Sequence, residues 1–325
     1  MSEVQLKEDK KSESAFTSMG KPRVLVLLAT YNAAPWLVEQ LNSILVQVDV
    51  DVHVLIGDDC SKDETRELIR SEWQGDMRIE LLEWSTPSGS AGANFRRLYR
   101  HANASNYDFV ALADQDDIWL PAKLISAIRC LSAQSAAGYS CSVESFWPDG
   151  QKKLVKQSST VRNADFLFEG AGQGCTFVLT QTLFLRLQAF CERHPVQADA
   201  MHYHDWLVYL LARVSGLTWY FDETPYMRYR QHAGNEIGSR GSVSAVTKRL
   251  ELIKNGWYRK QVLAALEIAT RHEHMSSSLA RFAHVFQTGS SAKRRVYLAW
   301  FLFAHGRRKL SDRVVLSATA LLGWI

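Results

Sequence analysis

Short apolar runs alternate four times with segments of helical periodicity, and this alternation constrains the fold more than any other feature of the sequence. Each run is about as long as a buried β-strand, and the first is apolar throughout, as expected for a parallel strand covered on both faces. The four runs occupy residues 23–29, 50–57, 78–84 and 107–113. The pattern predicts an α/β fold with a doubly wound, mostly parallel sheet and helices on both faces.

Three of the four runs end in polar residues. The clusters are Thr30, Tyr31 and Asn32 after the first run, Asp58 and Asp59 after the second, and Asp114, Gln115, Asp116 and Asp117 after the fourth. In sheets of this kind, ligands bind outside the carboxyl ends of the strands. We therefore expect the three clusters to share one edge of the sheet and to form one binding site.

The acidic loop, residues 114–117, holds three carboxylates in four positions. Carboxylates at that density repel one another and are costly to bury unless a cation or hydrogen-bond donors compensate. A hard cation with a bound diphosphate is one natural compensator. The alternative is a solvated acidic turn that caps the next helix. Because two other polar clusters end at the same predicted edge, we favour the ligand site.

Composition is that of a globular protein, with 46% hydrophobic and 22% charged residues. The five cysteines are scattered and form no C-x-x-C pair, which argues against a disulfide framework or a zinc site and fits a reducing compartment. Residues 1–20 are polar, lack the apolar core of a signal peptide, and are expected to form a disordered leader. We expect a cytoplasmic protein without a transmembrane helix.

Residues 241–325 are expected to form a basic helical region that follows a catalytic body at residues 21–240. From residue 240 onwards there are 15 Lys and Arg against 4 Asp and Glu. Basic clusters at 293–295 and 307–309 adjoin Trp-bearing apolar stretches that are too short to span a bilayer. This pattern predicts helices lying on an anionic membrane surface rather than on nucleic acid. Packing on the catalytic body, or on a second copy in a homo-oligomer, is the alternative.

Four motifs together resemble the family-2 inverting glycosyltransferases of GT-A fold. They are Ala29-Thr30-Tyr31-Asn32, the stretch 58–65, Gly92-Ala93-Asn94-Phe95, and the stretch 114–121. His204-Asp205-Trp206 and Tyr229-Arg230-Gln231-His232 are more specifically similar to motifs of bacterial rhamnosyltransferases of polysaccharide assembly. The resemblance covers residues 23 to 238.

The resemblance implies a metal-dependent enzyme that transfers a sugar from a nucleotide-sugar donor with inversion. The donor would be dTDP- or UDP-linked, with rhamnose from dTDP-rhamnose as the indicated sugar. The acceptor would be a hydroxyl of a lipid-linked or growing cell-surface glycan, at the inner face of the bacterial cytoplasmic membrane.

The resemblance also implies a role for each site residue. Residues expected to bind the nucleotide-sugar are Thr30, Tyr31, Asn32, Asp58, Asp59, Asn94, Asp114 and Arg230. Asp116 and His232 would hold Mg²⁺ or Mn²⁺, and Asp205 would be the catalytic base. Asp117 is left to orient the acidic loop or to cap the helix after Pro121.

Structural alternatives stand beside these roles. Asp58 and Asp59 could cap the helix that follows them, Asp205 could be an ordinary helix N-cap, and His232 could be an ordinary polar histidine. A nucleotidyltransferase is a rival function, but it would need a Gly-rich loop bearing Arg or Lys after the first strand, which this sequence lacks. A non-catalytic glycan- or membrane-binding module would not need the carboxylates of Asp114 and Asp205.

Overall fold

The computed structural model describes residues 20–157, 160–232, 251–271, 276–288 and 291–325. Nearly all of the predicted leader lies outside these ranges, as does the predicted domain boundary at residue 240. The described ranges include the three polar clusters at the carboxyl ends of the strands, called the polar edge below. They also include Asp205 and the last four helices.

The amino-terminal half alternates strands and helices as the sequence predicts. Its elements are β1 (Arg23–Thr30), α1 (Leu37–Leu45), β2 (Asp51–Asp58), α2 (Thr65–Glu72), β3 (Ile79–Glu83), α3 (Ala91–His101) and β4 (Phe109–Ala113). β1 lies between β2 and β4 and pairs in parallel with both, and β3 adds to the outer side of β2. Leu25 and Leu27 face one core while Val24 and Val26 face another, which explains why β1 is apolar throughout.

The second half completes one sheet with strands of both directions. Its elements are β5 (Ile118–Trp119), α4 (Lys123–Ala133), β6 (Gly138–Phe146), β7 (Lys152–Val155), two 3₁₀ turns (Asp165–Leu167 and Gly174–Thr176), β8 (Val178–Thr180), α5 (Gln181–Arg193), α6 (Pro195–Ala200), α7 (His204–Val214) and β9 (Trp219–Arg230). The strand order is β3-β2-β1-β4-β8-β6-β9-β5, with β7 on β6. The predicted doubly wound α/β fold is confirmed.

β9 is a single strand of 12 residues paired in parallel with β6. The register shifts where Ser142 pairs with Pro225. Proline has no N–H to donate and is tolerated at such irregularities, so it bends the strand without ending it. The long strand ends at Arg230, which lies beside the acidic loop.

Four further helices pack on this body. They are α8 (Trp257–Thr270), α9 (Ser277–Gln287), α10 (Ala292–His305) and α11 (Leu310–Leu321). Phe282 of α9 stacks on Phe301 of α10 at 4.2 Å and meets Phe168 of the catalytic body edge-on at 5.5 Å. The inner faces of these helices therefore belong to the same hydrophobic core as α5 and α7. Within the described ranges, each helix falls short of the length or apolarity needed to cross a bilayer.

Two basic residues that the sequence placed on a membrane point inwards instead. Arg308 is buried and Arg307 is partly buried, and both pair with carboxylates of the catalytic body. This part of the membrane prediction is wrong, because the carboxylates that neutralise them lie about 140 residues upstream, where a local reading of the sequence does not look.

Candidate active site

The loops after β1 and β2 are fastened to each other through Asp58. This carboxylate is fully buried, and it accepts hydrogen bonds from Thr30 Oγ1 at 3.2 Å, Ser61 Oγ at 2.5 Å and Arg66 Nε at 2.5 Å. Donors of this number compensate the burial of the charge. Asp58 therefore holds Thr30 in place at the end of β1, and it does not cap α2.

Asn32 joins the same two loops from the other side. Its backbone has φ of 51°, a left-handed conformation that Asn tolerates better than most residues. Its N–H donates to Ser61 Oγ at 2.9 Å, and its Oδ1 accepts from Lys62 N at 2.8 Å. Asp59 is bound elsewhere, accepting from Ser88 N at 2.6 Å and Ser88 Oγ at 2.8 Å.

The predicted motif at the start of α3 links the strand ends to the segment before Asp205. Asn94 is buried; its Nδ2 donates to Gly57 O at 2.7 Å and its Oδ1 accepts from the Trp84 indole at 2.8 Å. An added Cβ on Gly92 would lie 2.5 Å from a backbone oxygen, that of His202, so only glycine permits this approach. The motif thus sets the distance between the β1–β2 edge and α7.

Gln115, which lies between Asp114 and Asp116 in the acidic loop, has a role that the sequence did not reveal. It accepts from Tyr31 N at 2.6 Å and donates to Tyr31 O at 3.1 Å, which locks the acidic loop to the end of β1. The Tyr31 side chain is left 48% exposed at the polar edge. An amide between two carboxylates is the sequence signal that could have suggested such a clamp, because an amide both donates and accepts.

Asp116 and His232 meet although 116 residues separate them. His232 Nε2 lies 2.6 Å from Asp116 Oδ2. The imidazole also stacks on the indole of Trp36, with ring centroids 4.2 Å apart and planes 18° from parallel. Trp36 was not predicted, because a tryptophan just before α1 gives no reason to place it beside a histidine that follows β9.

Arg230 ties the end of β9 to the acidic loop and to α1. Its Nε donates to Asp116 O at 2.8 Å, its backbone N donates to Asp117 Oδ1 at 3.2 Å, and its guanidinium pairs with Glu39 of α1. The same group lies 4.7 Å from the ring centroid of Phe146. Two of the predicted residues, Arg230 and His232, are therefore brought directly onto a third, Asp116.

Asp117 does not cap α4, whose N-cap residue is Ala122. Its carboxylate is fully buried, and Oδ2 has no hydrogen-bond partner among the described residues. Burial raises the pKa of this carboxyl well above its usual range, and the nearby charges of Asp116 and Asp114 raise it further. Among the described residues, Asp117 Oδ2 thus lacks a donor that would compensate its burial.

A second group of possible metal ligands lies deeper in the same site. Asp114, Asp117 and Cys175 each place one ligand-type atom within 4.8 Å of the others. Burial raises the pKa of the Cys175 thiol well above its usual range, so this sulfur stays protonated and is a poor ligand. Of the donors gathered here, the carboxylates of Asp114 and Asp116 and the imidazole of His232 suit Mg²⁺ or Mn²⁺ best.

Asp205 lies in the first turn of α7, which begins at His204, so it is not the N-cap. Its Oδ1 accepts from Trp206 N at 2.7 Å. The neighbouring His204 is partly buried, stacks on Phe95 at 3.9 Å and shares a 2.7 Å hydrogen bond with Tyr99 Oη through its Nδ1. Burial lowers the pKa of His204 to about 3, so this imidazole is neutral and serves to fix the turn that carries Asp205.

Tyr99 marks the point where the two sides of the site approach each other. Burial raises its pKa well above the usual value, and the charges of Asp205 and Asp114 add to the rise. A carboxylate from α7 and one from the acidic loop therefore lie near the same phenol.

Comparison with known proteins identifies this arrangement. The model of glycosyl transferase family 2 matches residues 25–187, half of the chain. The chain belongs to glycosyltransferase family 2. It is therefore a glycosyltransferase, and the match spans the polar edge, from β1 through the acidic loop to α5.

Curated relatives of this family-2 enzyme act on nucleotide-sugars according to their names. The dTDP-rhamnosyl transferase RfbG of Shigella flexneri is 39% identical over 236 residues, covering 72% of this chain and 82% of the relative. The UDP-Glc:alpha-D-GlcNAc-diphosphoundecaprenol beta-1,3-glucosyltransferase WfgD of Escherichia coli is 28% identical over 196 residues, covering 58% of this chain and 68% of the relative.

A solved structure confirms the GT-A fold of the family-2 enzyme. The crystal structure of S. aureus TarS 1-349 in complex with UDP-GlcNAc matches with a TM-score of 0.51 at 14% identity, covering 93% of this chain and 92% of that one. The match covers more of the chain than the family-model residues 25–187 and therefore extends into the second half.

Proposed function

We propose that this family-2 enzyme is a metal-dependent, inverting rhamnosyltransferase that uses dTDP-rhamnose as donor. The observation that carries the proposal is the meeting of Asp116, His232 and Arg230 beside the end of β1. A carboxylate, an imidazole and a guanidinium at one point form a suitable site for a nucleotide diphosphate and its cation. The likeness to the rhamnosyl transferase of Shigella flexneri supports rhamnose as the sugar.

The nucleotide would lie along the ends of β1 and β2. Tyr31 offers an exposed ring for stacking, and Thr30 and Asn32 shape the floor of the pocket with Asp58 and Asp59. Asn94 would support this floor from below, since both ends of its carboxamide bond to protein groups. Asp114 would contact the ribose, and Arg230 the diphosphate.

The cation would be held by Asp116 and His232. A divalent ion supplies positive charge that stabilises the leaving nucleotide diphosphate. The residues present fit such an ion because the acidic loop contains a buried carboxylate oxygen, Asp117 Oδ2, with no donor of its own. Mn²⁺ suits a mixed carboxylate and imidazole set better than Mg²⁺.

Asp205 would take the proton from the acceptor hydroxyl as that oxygen attacks the anomeric carbon. The bond to the nucleotide diphosphate breaks on the opposite face of the sugar, so configuration inverts in one displacement without a covalent intermediate. The start of α7 favours the ionised form of Asp205, because the helix dipole is positive there. An ionised carboxylate is the form that a general base requires.

The acceptor would be a lipid-linked saccharide presented at the cytoplasmic face of the membrane. The hairpin of α10 and α11 has an outer face of exposed apolar residues opposite its buried ones. This outer face consists of Val296, Trp300, Phe303, Leu310, Val314 and Leu321. Residues 291–325 contain seven Lys and Arg but Asp312 as the single acidic residue. An apolar face on a basic element is complementary to an anionic bilayer surface.

Thermal shift with a panel of nucleotide-sugars tests the donor and the metal. We expect dTDP-rhamnose with Mn²⁺ to raise the melting temperature, and dTDP-rhamnose without metal to raise it much less. UDP-GlcNAc and GDP-mannose serve as controls for the nucleotide. A lack of shift with every sugar, with and without metal, would refute the proposal.

Flotation with vesicles tests the membrane surface. We expect the unaltered protein to float with vesicles of phosphatidylglycerol. The double variant Trp300→Glu, Phe303→Glu should stay in the bottom fraction without the vesicles. A matched control is Met77→Glu with Val196→Glu, which places the same charges on apolar residues that are 90% and 75% exposed elsewhere. Equal flotation of both double variants would show that the outer face of the hairpin is not the membrane contact. Light scattering that shows a dimer dissociated by Trp300→Glu would assign this face to a second copy instead.

A further inference from the structure

A buried ionic cluster joins the α10–α11 hairpin to the catalytic body. Asp165, in the 3₁₀ turn after β7, has no exposed surface. It accepts from Arg213 at 2.7 Å, from Arg308 at 3.1 Å and from the Tyr209 hydroxyl at 2.8 Å. Arg308 comes from the turn between α10 and α11, and it is nearly as deeply buried as its partner.

Arg308 binds two residues, Asp165 and Gly170, of the segment 165–174. One guanidinium nitrogen reaches Asp165, and another donates to Gly170 O at 2.6 Å. Its backbone N also donates to Glu169 at 2.5 Å, and the side chain of Arg307 pairs with the same carboxylate at 3.3 Å. The planar, forked guanidinium can hold several acceptors at once, which a lysine ammonium cannot do with the same geometry.

The segment held by Arg308 packs directly against the turn that carries Asp205. The Trp206 indole donates to Phe166 O at 2.7 Å. An added Cβ on Gly170 would lie 3.2 Å from Trp206 Cα, and one on Gly174 would lie 3.3 Å from Asp205 Cβ. Residues 165–174 thus form one wall against the first turn of α7.

Arg308 also touches the two elements that bring the site together. Its guanidinium lies 5.4 Å from the ring centroid of Tyr209 on α7 and 4.8 Å from that of Phe221 on β9. Because α7 carries Asp205 and β9 carries Arg230, one side chain of the hairpin contacts both.

We propose that Arg308 is a positioning residue for Asp205, acting through the segment 165–174. This inference rests on the proposed function, in which Asp205 is the base. Loss of the Arg308 guanidinium would leave the carboxylate of Asp165 and the carbonyl of Gly170 with fewer donors, and the wall against α7 would relax. The base would then stand further from the acceptor hydroxyl, whereas the nucleotide pocket at β1 and β2 would be unaffected.

Steady-state kinetics of Arg308→Gln and Arg308→Lys test the proposal. We expect kcat to fall about tenfold or more in both variants, because a misplaced reacting group loses rate steeply. The KM for dTDP-rhamnose and the binding of dTDP with Mn²⁺ should stay unchanged. A merely structural role would lower the melting temperature without this separation of kcat from KM.

Arg313→Gln is the matched control. Arg313 is a buried arginine of the same hairpin, but it donates to Phe303 O within the hairpin. It should destabilise the protein while kcat measured below the unfolding transition stays close to the unaltered value. An equal fall in kcat for Arg313→Gln would overturn the proposal, as would an unchanged kcat in folded Arg308→Gln.

Gly170→Ala provides a second route if Arg308→Gln does not fold. It keeps every charge of the cluster but adds a methyl group against Trp206 Cα, so it should also lower kcat without changing the KM for the donor. An unchanged kcat would count against the proposal. Asp205→Asn distinguishes failure of the proposed function from failure of the positioning inference. If Asp205→Asn stays active, the proposed base is wrong. If it is inactive while Arg308→Gln and Gly170→Ala are active, only the positioning inference fails.

Discussion

His232 Nε2 lies 2.6 Å from Asp116 Oδ2, so the end of β9 closes directly on the acidic loop. The contact places an imidazole and a carboxylate where one divalent ion can bind both. It depends on β9 being a single long strand, since Arg230 and His232 would otherwise end short of the loop.

Removal of either partner should weaken metal binding. We expect Asp116→Asn and His232→Gln each to lower the affinity for Mn²⁺, in the presence of dTDP, by about tenfold or more, because each loses one of the few protein ligands that such an ion uses. Electron paramagnetic resonance of free Mn²⁺ measures this affinity. Glu39→Gln is the control, since its exposed ion pair with Arg230 should contribute little. Unchanged affinity in both ligand variants would place the metal elsewhere.

Trp36 should act on the metal through His232. Its indole stacks on the imidazole and so fixes the direction in which Nε2 points. Groups that orient a metal-bound histidine typically contribute roughly ten- to hundredfold to affinity. We expect Trp36→Ala to weaken Mn²⁺ binding by roughly tenfold and Trp36→Phe, which keeps a stacking ring, to restore most of it. Equal affinities for the alanine and phenylalanine variants would show that stacking plays no part.

Asp205→Asn should separate binding from transfer. The asparagine cannot accept a proton, so the transfer rate should fall by about 10²- to 10⁴-fold, the usual contribution of a general base. Thermal shift with dTDP-rhamnose and Mn²⁺ should remain as in the unaltered enzyme. Asp149→Asn, an exposed carboxylate whose hydrogen bond is to the local turn, serves as control. Retained transfer in Asp205→Asn would mean that another group takes the proton.

His204 should make the enzyme less stable in acid. Burial lowers its pKa to about 3, whereas the unfolded chain keeps an ordinary value near 6.5. Between these values the unfolded state binds a proton that the folded state does not, so stability falls as pH falls from about 6.5 towards 3. The loss approaches about 1.4 kcal/mol per pH unit.

Urea unfolding at several pH values measures this effect. His204→Asn cannot take up the proton, so its free energy of unfolding should decline less steeply than that of the unaltered enzyme between pH 6.5 and pH 4.5. Parallel curves for the two proteins would mean that His204 is protonated in the folded state as well.

The sequence predicted the edge of the site because the carboxyl ends of parallel strands meet. Thr30, Asp58 and Asp114 could be brought together by that rule alone. What each side chain does there could not be predicted, because it depends on which loops approach. Asp58 and Asn94 bond to protein groups, and Gln115, which looked like a spacer, clamps the acidic loop.

Contacts between distant segments were beyond the sequence for a related reason. A tryptophan before a helix and a histidine after a strand give no local sign that their rings stack. Arg307 and Arg308 show the same limit, since a basic cluster beside apolar residues has the same appearance whether it faces lipid or buried carboxylates. The distinction lay in Asp165 and Glu169, which are acidic residues in an otherwise unremarkable stretch.

The pairing of Asp165 with Arg308 should leave a trace in evolution. Asp165 without Arg308 would keep Arg213 as its one guanidinium partner, and a buried Arg308 without Asp165 would be strongly unfavourable. Selection should therefore let the two positions change together more readily than either changes alone. Recombination that joins the first part of one family member to the last helices of another would break the pair, so natural crossovers between this hairpin and the segment 165–174 should be rare.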